Sequence, residues 1–183
     1  MRRKIKFASA ILSLVASMAI LTFSVYAATA RKATISSSVS FTGDYFTADV
    51  VVKYIGPTGT KPDTNSNYSS SATNSGTNLT NAADQTYSVT GLTFTETNKF
   101  YGIKVEIKNE GAQQVNITPP PLSTGITGVT VEGYKGTGSY STAAFNLAAS
   151  EIQTFYFIYT LDPQTAPNFT NSQLTLKFTI KRN

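Results

Sequence analysis

Apolar side chains recur at every second position in three well-separated runs of this sequence. In residues 46–54 they are Phe46, Ala48, Val50, Val52 and Tyr54; in residues 103–108, Ile103, Val105 and Ile107 alternate with charged neighbours; in residues 174–181, Leu174, Leu176, Phe178 and Ile180 do the same. A two-residue period in Val-, Ile-, Thr- and Phe-rich segments buries one face of a strand and wets the other. Residues 155–161, Phe-Tyr-Phe-Ile-Tyr-Thr-Leu, are apolar on both faces and predict a central strand covered on both sides. Weaker strand patterns occupy residues 34–41, 87–95, 114–118 and 126–134, and in 87–95 the phase shifts across Gly91, as at a bulge. No segment after the first 27 residues shows a helical period. The expected fold is all-β, an antiparallel jelly-roll or immunoglobulin-like sandwich of about eight strands in one domain, residues 28–183.

The joints between strands are legible in composition. Asn109-Glu-Gly111-Ala112 reads as a short hairpin loop whose glycine supplies a positive φ. Pro119, Pro120 and Pro121 end the strand before them. In residues 57–85 more than half of the side chains are Ser, Thr or Asn, and only Tyr68 and Leu79 are large and apolar. Such a segment buries too little to offset its ordering entropy, so a mobile surface loop is expected there. Residues 133–140, Gly-Tyr-Lys-Gly-Thr-Gly-Ser-Tyr, read as a second flexible tip.

Residues 1–27 form a secretory signal peptide by pattern. Arg2, Arg3, Lys4 and Lys6 precede an apolar stretch that ends in Val25-Tyr26-Ala27, small residues at the positions that flank a cleavage site. The alternative is a retained anchor, because the stretch approaches bilayer-spanning length. Four of the fifteen Lys and Arg lie in this segment, which leaves eleven against ten acidic residues. The near-neutral remainder offers no electrostatic footprint for nucleic acid, and contact with a membrane is expected only during export.

The 183 residues contain no Cys and no His, and Trp is also absent. Disulfides, zinc fingers, iron–sulfur clusters, a His- or Cys-based haem ligand set, Ser-His-Asp and Cys-His nucleophiles and a histidine general base are thereby excluded. No Ser-x-x-Lys pair occurs, and the ten carboxylates are scattered. No cofactor, metal or catalytic residue is assigned, and the chain is read as a non-enzyme. Asp63-Thr-Asn65-Ser-Asn67 has the alternating oxygens that open a calcium loop, but Tyr68 stands where glycine is required and Asn74 where glutamate is; a solvated loop is the better reading. Tyr134 and Tyr140 in the glycine-rich tip are candidate platforms for a sugar face. The four Asn-x-Ser/Thr sequons, at Asn67, Asn78, Asn116 and Asn168, follow from composition. No hydrophobic tail or sorting motif ends the chain, so retention at a surface would depend on binding or self-assembly. Residues 28–41 offer a means: Ile35, Ser37, Val39 and Phe41 alternate, and a terminal strand pairs either within its own sheet or with a neighbour's edge.

Several segments together resemble the TasA/camelysin-like secreted proteins, which include subunits of bacterial biofilm matrix fibres. The apolar leader ends in Ala27-Ala28 and is soon followed by Ala33-Thr-Ile-Ser-Ser-Ser-Val-Ser-Phe41; Lys104-Val-Glu-Ile-Lys-Asn109-Glu-Gly111 runs on to Val115-Asn-Ile117; a late strand, residues 151–161, precedes a closing one, 174–180. The resemblance implies a jelly-roll sandwich that polymerises through an N-terminal donor strand, with Ile35, Val39 and Phe41 as its anchors. The chain departs from the best-known fibre formers in being shorter and in lacking an Ala-x-Phe element after the leader. The metal-dependent proteolysis linked with camelysin-like proteins does not carry over, because His-Glu-x-x-His cannot be built without histidine. The expected function is a secreted structural subunit of an extracellular or cell-surface fibre, its partners being itself and other matrix or cell-surface components. The alternative is a secreted surface-binding module for glycans that uses Tyr134 and Tyr140.

Overall fold

Twelve strands account for the architecture seen in a computed structural model, which describes residues 33–43, 48–75, 85–161 and 172–182. The leader at residues 1–27 and the sequons at Asn78 and Asn168 lie outside the described residues. In chain order the strands are β1 (Ala33–Gly43), β2 (Ala48–Thr58), β3 (Ser70–Ser71), β4 (Thr73–Asn74), β5 (Thr86–Phe94) and β6 (Phe100–Asn109). They continue as β7 (Val115–Thr118), β8 (Val129–Lys135), β9 (Gly138–Ser139), β10 (Phe145–Leu147), β11 (Ile152–Leu161) and β12 (Gln173–Arg182). No helix occurs among the described residues. The eight strands of four residues or more, β1, β2, β5, β6, β7, β8, β11 and β12, coincide with the eight read from the alternation; the other four are short additions at sheet edges.

The strands form two six-stranded sheets, ordered β10-β7-β12-β1-β5-β4 and β3-β2-β6-β11-β8-β9, whose apolar faces make one sandwich core. The second sheet is antiparallel throughout. The first is mixed: β1 runs antiparallel to β5 but parallel to β12. Alternation settles which face of β1 is buried and is silent on the direction of its partners, so an all-antiparallel sheet was the wrong detail. Ile35, Val39 and Phe41 of β1 and Leu174, Leu176, Phe178 and Ile180 of β12 point inward, each 2% exposed or less. Aromatic rings fill the centre, with Phe178 lying 5.3 Å from Phe155 of the opposite sheet. Such offset and tilted pairs add to the area they bury.

The bulge expected at Gly91 is present. Ile35 pairs with Leu92 and Ser37 with Val89, so three residues of β5 span two of β1, and Gly91 takes φ +71°. The extra residue restores an inward aim to Leu92 and Phe94 after Tyr87 and Val89.

Two expected joints differ. Residues 109–112 do not close a hairpin, since β6 and β7 belong to different sheets, and Gly111 has no positive φ. Asn109 makes this crossover instead. It is fully buried, its Nδ2 donates to the carbonyls of Gln113 (2.9 Å) and Leu147 (3.1 Å), and its Oδ1 accepts from the Gly111 amide (2.9 Å). Residues 57–75, expected to be part of a free loop, pack back on the sandwich: β3 pairs with β2, β4 with β5, and Tyr68 is 6% exposed. Tyr68 anchors the described part of this segment because it has a seat. A Cβ on Gly102 would lie 2.9 Å from its ring, so the glycine opens the outer face of β6 to the phenol. Residues 76–84 of that loop lie outside the described residues.

Candidate functional site

The slot occupied by β1 is the first candidate. Each inward residue of the strand meets a partner on at least one side: Val39 pairs with Leu176 and Tyr87, Phe41 with Phe178, and Ile35 with Leu92. Phe41 also meets the Tyr87 ring edge-on at 6.3 Å. The partners of β1 in the ladder are distant in the chain, because β2, next in sequence, belongs to the other sheet. No hairpin holds β1, and a single connection after Gly43 ties it to the rest of the described fold. Were β1 to leave, β5 and β12 would each become an open edge above exposed apolar side chains.

The seat of β1 has a polar flaw. Ser37 points inward and is 2% exposed, while the hydroxyl of Tyr101, a fully buried residue of β6, has no hydrogen-bond partner among the described residues. The Ser37 hydroxyl faces it outside hydrogen-bonding geometry. Burial drives the Tyr101 phenol well above its ordinary ionisation range, and Tyr159, stacked 5.9 Å away, likewise. Outward-facing Ser38 is better served, accepting from Gln173 Nε2 at 3.0 Å. The groove of about 360 Å³ along this part of β1 is walled by Thr34, Ser36, Ser88, Thr90 and their neighbours, none of them ionisable in the physiological range.

The two tyrosines of the glycine-rich tip do not act together. Tyr140 packs edge-on against Phe155 (6.3 Å) and Phe157 (5.5 Å), and its hydroxyl donates to the Pro120 carbonyl. Its ring fills the space over Gly133, where a Cβ would approach it to 2.8 Å, so it is a core cap and not a free platform. Tyr134 is half-buried on the outer face of β8, its hydroxyl 3.1 Å from Glu132 Oε2. Glu132 is in turn 2.5 Å from Lys61 Nζ, and these two donors hold its carboxyl below the ordinary range.

The second candidate lies on that outer face. Register places Lys53 of β2, Lys104 of β6, Tyr156 of β11 and Tyr134 of β8 in one row across the sheet. Thr64, Ser66, Asn67 and Tyr68 line a half-open pocket of about 250 Å³ with Lys53, Lys104 and Tyr156 of the row. The segment that matches the opening of a calcium loop forms one wall, and Asp63 is engaged within it: its Oδ1 accepts from the Asn65 amide and the Ser66 hydroxyl, both at 2.9 Å, and its carbonyl accepts from the Tyr68 hydroxyl at 3.0 Å. Burial first, then the charges of Tyr156 and Asp63, push the Tyr68 phenol up to about 12. Sequence reasoning missed this row, because facing across a sheet depends on register; only the outward placement of Lys53 and Lys104 was visible.

No group of three or more acidic, Cys or His side chains that could hold a metal occurs among the described residues. No protein-family model matches the chain, and no curated protein matches it. Among solved structures it is similar to a yeast delta-COP-I mu-homology domain, at 8% identity and a TM-score of 0.21, over 82% of this chain and 95% of that one. So low a likeness carries no argument about function.

Proposed function

We propose that this protein is a secreted structural subunit of an extracellular or cell-surface fibre, and that its copies join by exchanging β1. The observation that carries the reading is the place of β1, between β5 and β12 and parallel to β12, with no hairpin to either. A strand so placed can leave its slot without breaking any other pairing. The β1 of a second copy has the same sequence and fits the same slot, with Ile35, Val39 and Phe41 as its anchors. A contact passed on in this way is heterologous and does not close on itself, so it builds a filament. The unpartnered Tyr101 hydroxyl beneath Ser37 lowers the cost of leaving, because the seat already carries a buried polar defect. The export leader and the resemblance to biofilm fibre subunits agree with this reading.

Negative-stain electron microscopy of the purified chain over a range of concentrations tests it. Regular filaments whose abundance rises with concentration are expected; monodisperse particles at every concentration would count against assembly.

A further inference from the structure

The cavity on the outer face of the second sheet has no part in strand exchange. Lys53 and Lys104 stand directly opposite each other in the β2–β6 register, on the same face. Like charges so placed destabilise a sheet. Lys104 is relieved in part by Glu106, 3.0 Å away on the same strand, whereas Lys53 makes no ion pair among the described residues. The other carboxylate nearby, on Asp63, is turned into its own loop. A cation without an ion-pair partner among the described residues therefore lines a half-open pocket, and an anion would compensate it.

The remaining walls narrow the class of anion. Thr64 and Asn67 offer a hydroxyl and an amide, the Ser66 hydroxyl being held by Asp63, and Tyr156 offers a ring, 5.5 Å from that of Tyr68. The wall is built before any ligand arrives, because the turn at Asp63 and the seating of Tyr68 over Gly102 already fix residues 63–68. A small inorganic anion uses the lysines and leaves the aromatic face idle. A sugar bearing a carboxylate uses all three kinds of group: ammonium for the charge, hydroxyl and amide for the ring substituents, and an aromatic face for the C–H surface. About 250 Å³ accommodates a single sugar unit with its neighbours running out to solvent.

We infer that this pocket binds one residue of an acidic polysaccharide, with Lys53 and Lys104 holding the carboxylate and Tyr156 supporting the ring. The inference does not depend on polymerisation. It moves sugar recognition from the tip at Tyr134 and Tyr140 to the far side of the same row of side chains.

Calorimetric titration of the purified chain with trigalacturonate, the neutral galactose trisaccharide and inorganic phosphate separates the outcomes. Trigalacturonate should bind, more weakly as salt is raised, with Lys53→Met and Tyr156→Ala each weakening it by roughly tenfold. Lys53→Met removes a like-charge pair and should leave the thermal midpoint no lower, so lost binding in that variant is not lost folding. The inference fails if trigalacturonate does not bind, if either variant binds it as well as the parent, or if the neutral sugar or phosphate binds equally tightly.

Discussion

Phe41 stacks on Phe178 with ring centroids 5.2 Å apart and planes inclined by 18°, each ring fully buried and each on a strand close to one end of the described fold. Their strands are side-by-side parallel partners, so this pair locks the two ends of the domain together. Phe178 also pairs with rings of the opposite sheet, those of Phe155 and Phe157.

Truncating either ring should therefore cost about 3–5 kcal/mol, the usual penalty for a buried phenylalanine. Phe41→Ala should loosen β1 in particular. Urea denaturation of Phe41→Ala, Phe178→Ala and the double variant should show the double losing less than the sum of the singles, since both remove the same contact.

The defect under β1 gives a prediction of opposite sign. Tyr101→Phe removes a hydroxyl that is buried without a partner, and Ser37→Ala removes the one that faces it. Deleting both ends of an unmade hydrogen bond is neutral to stabilising, by up to about 1–2 kcal/mol. The pair should raise the urea midpoint and, if β1 exchanges, slow filament growth; a clear loss of stability would show that the hydroxyls do pair.

Much of this was legible in the sequence, and the part that was not has a common cause. The eight principal strands, the bulge at Gly91 and the inward set from Ile35 to Ile180 followed from period-two alternation, a local signal. The parallel pairing of β1 with β12 did not, because direction and register belong to two segments more than 130 residues apart. The crossover at residues 109–112 was misjudged for the same reason: Asn109 reads as a turn residue locally, yet its side chain bonds Leu147 from a distant part of the chain. Tyr140 and Tyr68 show the limit for single aromatics. Both stand in glycine- or serine-rich surroundings, and what buries each is a missing Cβ on another segment, at Gly133 and Gly102.

Alkaline pH should unfold this protein cooperatively. Burial raises the phenols of Tyr101 and Tyr159 far above 10.0, and those of Tyr68 and Tyr87 to about 12. The folded state thus holds these protons more tightly than the unfolded one, and their contribution is complete below pH 10 and declines as pH rises beyond it. Each fully buried phenol should remove up to about 1.4 kcal/mol per pH unit in that range. Urea midpoints measured from pH 9 to 11.5 should fall steadily, the tyrosinate absorbance of the buried rings should appear only with unfolding, and Tyr101→Phe should flatten the decline.

Locking β1 in its own slot tests strand exchange most directly. Ser40 of β1 and Lys177 of β12 are register partners on the outer face, and the native chain has no cysteine to interfere. Adjacent strands lie about 4.8 Å apart, within the span a disulfide bridges. In the doubly substituted Ser40→Cys, Lys177→Cys protein, oxidation of dilute monomer should close the bridge within one chain and abolish filaments, and reduction should restore them. Oxidation after assembly should instead join successive copies, giving a covalent ladder on a denaturing gel. Equal assembly of the oxidised and reduced monomer would mean that β1 never leaves its slot, and the contact between copies would have to be sought on another surface.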